Sequence, residues 1–186
     1  MKKVVTALSV FALSFGVFAN ASFASDTTGT AEVTGGTLNL EVPASVTFDG
    51  IELDGTIQTT FADLGALKVV DPTGTGNGWN VSATALPLTR TTDGHSLPAN
   101  SLVLSAPVEV TAEAGSSDAT ILTPDSGNLD SEFGVSVLDA KVGQGLGTFN
   151  TTFGANALTL TLSPDTAFAG QYETTITWNL TQGPKE

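Results

Sequence analysis

A chain of 186 residues with a formal net charge of −13 and a pI near 4.1 repels nucleic acid and anionic membrane, so neither is an expected partner. It has no cysteine, so its core must hold by burial alone. The length suits a single domain large enough to bury a real core.

The chain opens on what reads as an export signal. Lys2 and Lys3 form a positive start, an apolar stretch runs from Val4 to about Ala19, and Ser22-Phe23-Ala24 supplies small residues at a cleavage site. The stretch falls short of the roughly 20 apolar residues that span a bilayer. The expected division is therefore a signal peptide at 1–24 and one domain at 25–186. Cleavage removes two positive charges and deepens the acidity. No second long apolar segment follows, so no membrane insertion is expected after signal cleavage.

Beyond the signal the period is two. Leu38, Leu40 and Val42 alternate with Thr37, Asn39 and Glu41, as a half-buried strand should. Further strands are predicted at 45–48, 56–61, 66–70, 78–85, 101–105, 108–112, 119–123 and 134–139. Leu158, Leu160 and Leu162 alternate with threonines, and Ile176, Trp178 and Leu180 share one face of a last strand. Asp49-Gly50, Asp54-Gly55, Asp93-Gly94 and Ser126-Gly127-Asn128 punctuate them with turn chemistry. About nine or ten strands with frequent turns predict an all-β fold, an antiparallel β-sandwich of immunoglobulin-like layout.

Both tryptophans sit in one frame: aromatic, asparagine, aliphatic. Trp79-Asn80-Val81 follows a glycine run at Gly74, Gly76 and Gly78, and Trp178-Asn179-Leu180 closes a strand that Tyr172 precedes. VTGGTLNLEVPASVTF (33–48), LKVVDPTGTGNGWNVSATA (67–85) and AGQYETTITWNLTQGP (169–184) together resemble the WxL domain surface proteins of Gram-positive bacteria. Val81 stands where that family usually has leucine, a mild aliphatic exchange. The resemblance implies a secreted, wall-associated protein held non-covalently, with peptidoglycan or another wall component as ligand. It also implies a WxL-interacting surface protein as partner, and some members contribute to adhesion. Trp79, Val81, Trp178 and Leu180 are the wall-binding signature on this reading, flanked by Gly74, Gly76, Gly78 and Tyr172.

Each candidate has a plainer reading. Trp79 aligns with Val81 and Ala83, and Trp178 with Ile176 and Leu180, so both indoles are expected in the core, with Asn80, Ser82 and Thr84 pointing away. The glycine run leads into a strand without a following base, which fits a bulge or tight corner rather than a phosphate cradle. His95 sits in a turn, without a nucleophile motif, and is expected to be solvated. Asp125, Asn128, Asp130 and Glu132 bring four oxygen donors close in sequence, but off the calcium-loop spacing; a solvated acidic loop is expected, and no metal or cofactor. Leu86-Pro87-Leu88-Thr89-Arg90 resembles a sortase site with arginine in place of glycine and no apolar tail after it. Glu52 and Asp54 are a carboxylate pair that nothing positions as acid and base, so an enzyme is not expected. A second functional reading is a fibre subunit assembled by strand exchange at an exposed edge. Because a teichoic-acid wall is also anionic, net charge cannot supply the attraction.

Overall fold

The computed structural model describes residues 25–185; the expected signal peptide at 1–24 lies outside them. Ser25 to Glu32 carries no regular structure, and the strands all lie in a compact unit that begins at Val33. In chain order they are β1 (Asn39–Glu41), β2 (Gln58–Ala62), β3 (Leu67–Asp71), β4 (Trp79–Ala85), β5 (Thr89–Arg90), β6 (Leu102–Leu104) and β7 (Glu109–Ala112). Then follow β8 (Thr123–Pro124), β9 (Gly127–Asn128), β10 (Val135–Ala140), β11 (Gly147–Thr152), β12 (Leu158–Leu162), β13 (Tyr172–Glu173) and β14 (Ile176–Gln182). Every pairing is antiparallel, so the fold is all-β as the alternation predicts.

Three sheets have four strands, in the orders β1-β3-β11-β7, β14-β4-β10-β8 and β2-β12-β6-β9, and β13 pairs with β5 alone. Neighbours in space are thus rarely neighbours in sequence. Inward residues of all three larger sheets meet in one core, including Val69 and Phe149, Trp79 and Val81, Leu104 and Leu158. Trp79 of β4 packs on Phe149 of β11 with ring centroids 5.9 Å apart, so two sheets face each other across that core as in a β-sandwich. In β10 the register slips between Ser136 and Leu138, a bulge that turns both Val137 and Leu138 inward.

Three local expectations change. Val46 and Phe48 do alternate inward, but 45–48 finds no partner strand and stays outside every ladder. Residues 119–123 begin as a 3-10 turn at Ala119–Ile121, because the Asp118 side chain accepts the Thr120 amide and caps it. β11 escapes the apolar alternation because a threonine, Thr151, holds an inward position and is fully buried.

Candidate functional site

The two tryptophan frames, distant in sequence, lie side by side. β14 runs antiparallel to β4 with Val81 opposite Leu180, Ala83 opposite Trp178 and Trp79 opposite Gln182. Directly opposed residues share a face, so both frames point the same way, inward. Trp79 and Val81 are fully buried, and the indole Nε1 donates to the Gly145 carbonyl at 2.8 Å. Gly145 has to be glycine: its φ is +76°, and a Cβ there would stand 2.5 Å from that same Nε1.

Trp178 corrects the expectation of two core indoles. β14 is the outermost strand of its sheet, so Trp178 and Leu180 are covered from one side only and remain half-buried. Asn80 also departs from the outward, solvated position its alternation implies. It is buried, and its amide donates to the Ser136 hydroxyl (2.6 Å) and to Asp139 Oδ1 (3.3 Å). Burial alone would push the Asp139 carboxyl up; Lys141, the Lys185 amide and Asn80 outweigh that and hold it below its ordinary value.

The glycine run is a corner, as its sequence suggests. Gly74, Gly76 and Gly78 all take left-handed φ, of 66°, 66° and 74°. Leading into them, Asp71 accepts from Thr73, and the Thr73 and Thr75 hydroxyls lie 3.1 Å apart, a staircase of side-chain turns. The Gly76 carbonyl accepts from Gly143, and the Gly78 carbonyl from Gly183, which fastens the end of β14 beside the start of β4.

Tyr172 lies on β13 opposite Arg90, half-buried, and its hydroxyl accepts the Phe168 amide at 3.1 Å. Around Phe168 a lock is assembled. The Arg90 guanidinium stands 5.1 Å from the ring centroid, pairs with Asp93 and donates to the Ala169 carbonyl. His95 meets the same ring edge-on at 4.5 Å, and its Nε2 lies 2.7 Å from the Thr166 carbonyl. His95 is therefore not a solvated turn residue but half-buried packing. Hydrogen bonds from Arg90 and the His95 amide draw the Asp93 carboxyl down to about 2. The sortase-like run is absorbed into the same lock, with Leu88 in the core and Thr89-Arg90 forming β5.

The acidic loop is not a solvated cluster throughout. Asp130 is buried, with its two carboxylate oxygens accepting the Ser101 and Leu102 amides (2.9 and 3.1 Å). Asp125 accepts from the Ser126 amide, and Glu132 is exposed. No group of three metal-ligating side chains converges among the described residues.

One open groove stands out, with a volume of about 950 Å³. One wall is the run Val46–Leu53, which belongs to no strand, the other the stretch Ala167–Thr174 that holds Phe168 and Tyr172, and Leu88, Leu160 and Leu162 floor it. A smaller cleft of about 280 Å³ continues it past the shared Val46, Phe48 and Thr174 to Trp178. Sequence reading named Tyr172 and Trp178 but missed the groove between them. The available signal was the apolar residues left outside any alternation: Ile51, Leu53 and Phe168 are all exposed here.

Fold and frames define a small β-sheet body whose paired signature strands border an amphipathic groove. The model of the family described as "WxL domain surface cell wall-binding" matches residues 23–184, nearly the whole chain, and the protein belongs to that family. It is accordingly a surface protein that binds the cell wall from outside the cell. No curated protein and no solved structure matches the chain. Among the described residues no helix is long and apolar enough to cross a membrane.

Proposed function

We propose that the protein is a non-catalytic wall module, retained without covalent attachment by peptidoglycan or by a wall-resident WxL-interacting partner, with any adhesive role following from that display. The observation that carries this reading is the groove beside the closing signature, where Tyr172, Phe168 and Phe48 offer aromatic surface and no basic side chain lines the walls. Trp79 supports it indirectly, as the brace that fixes β4 and through it β14. The Arg90 lock ties down the Ala167–Thr174 wall through Phe168 and the Ala169 carbonyl, which lowers the entropy lost on binding. The test is a pull-down of the purified protein on sacculi with and without teichoic acid. Retention on both is expected; release from both, together with no captured envelope protein, rejects the reading.

A fibre subunit is the second reading, and β14 favours it. This seven-residue edge strand pairs on one side only and carries no charge, proline or bulge between Ile176 and Gln182. Such an edge lacks the usual devices against strand addition. Electron microscopy decides: filaments support the fibre, and monodisperse particles support the wall module.

A further inference from the structure

We propose that the protein pairs with a second copy of itself through β14, the two strands running antiparallel across a two-fold axis at Asn179. This goes beyond wall binding and does not depend on it.

The edge is open. β14 is the outermost strand of its sheet, and outside the β4 ladder residues 176–182 make no backbone–backbone hydrogen bond among the described residues. The Gly183 amide donates to the Gly78 carbonyl, and alternation from there turns the backbone groups of Thr177, Asn179 and Thr181 toward β4. Those of Ile176, Trp178, Leu180 and Gln182 point away from β4, along the free edge.

The strand is nearly symmetric about its centre. Around Asn179 it sets Trp178 against Leu180, Thr177 against Thr181 and Ile176 against Gln182. Turned through the axis, Ile176 meets Gln182 and Trp178 meets Leu180 in pairs that exchange both backbone bonds, so about eight bonds form. On the inward face the Trp178 indole, half-buried in one copy, is covered by Leu180 of the second copy. On the exposed face threonine meets threonine, a favourable cross-strand pair.

Charge favours the same register. No residue from Thr174 to Gly183 ionises, so like charges are not forced together along the strand. Beyond its two ends lie Glu173 and Lys185, both exposed. The register brings Glu173 of one copy to the end where Lys185 of the second copy lies, and the axis repeats the match. A single strand pairing is a small interface and each copy carries −13, so the dimer is weak and reversible. Pairing uses up the edge in both copies, and assembly stops at two. Two wall-binding bodies then share one particle, and retention gains by avidity.

Sedimentation of the purified protein up to ~200 µM reads the mass, and two chains are expected at the upper end. Because the chain has no cysteine, Asn179→Cys supplies a single, exposed thiol. At the axis that thiol faces its own mate in a non-hydrogen-bonded pair, with Cα atoms about 4.5 Å apart and within disulfide reach. Air oxidation should link Asn179→Cys into a covalent dimer. Thr177→Cys should stay unlinked, its mate lying roughly 14 Å away, while Thr177→Cys combined with Thr181→Cys should link. Asn179→Lys sets like charges face to face and should weaken the dimer about fivefold, with the parent's thermal melt retained. A single-chain mass at every concentration overturns the proposal, as does Thr177→Cys linking as readily as Asn179→Cys. Filaments overturn it in favour of the fibre. Retention on sacculi is read separately: its loss with an intact dimer removes the wall module alone, and its persistence in a strict monomer removes the dimer alone.

Discussion

At the scale of single residues the two signature tryptophans have different duties. Trp79 is sealed in the core with its indole hydrogen satisfied, so Trp79→Ala should cost about 3–5 kcal/mol, as read by urea denaturation. Trp178→Ala should cost clearly less, because that ring is already half solvated. Acrylamide should quench Trp178 emission and leave Trp79 emission nearly untouched; equal quenching would contradict the buried placement. Among the glycines, Gly78→Ala drives a Cβ to 2.2 Å from the Ala140 carbonyl, while Gly74→Ala meets open space. The latter should lose only the roughly 1–2 kcal/mol of a left-handed residue, and thermal melts should rank Gly78→Ala well below it. The inward set Trp79, Val81, Ala83 was legible from period two. Asn80 was not, since what buries it is Asp139 and Ser136 on β10, and a strand's own alternation carries no record of which strand lies beside it.

At the scale of elements, acid is the informative perturbation. The Asp93 carboxyl lies at about 2 against an ordinary 3.8, so the Arg90–Asp93 lock contributes fully above about pH 3.8 and is lost as the pH falls through 2. Asp139 is shifted the same way, and its contribution likewise fades only on the acid side. Protection factors in the 166–171 segment, taken relative to the intrinsic exchange rate at each pH, should therefore fall below pH 3.8, and Asp93→Asn should show that lower protection already at neutral pH. No change on either treatment would remove the lock from the account. The elements that departed from the sequence reading did so for separate reasons. β11 hides Thr151 in the core, and β5 and β13 are two-residue pairings, too short to show an alternation. The groove wall at 45–48, predicted as a strand, has the right alternation but no partner, and alternation reports burial, not pairing.

At the scale of the whole molecule the acidity sets the terms of attachment. A net charge of −13 facing an anionic wall is repulsive at long range, so sodium chloride should leave retention on teichoic-acid-bearing walls unchanged or raise it. A steep loss between low and moderate salt, measured by the same pull-down, would mean that charge attraction dominates after all. The all-β class was readable from alternation and turns, whereas the order β14-β4-β10-β8 was not, because it joins segments that only tertiary packing brings together. That order has a temporal side. A polypeptide leaves the ribosome amino end first, so β4 meets β10 before it can gain its second neighbour from residues 176–182. One flank of β4 thus waits on a segment far behind it in synthesis, and a pairing over so long a loop is slow to form.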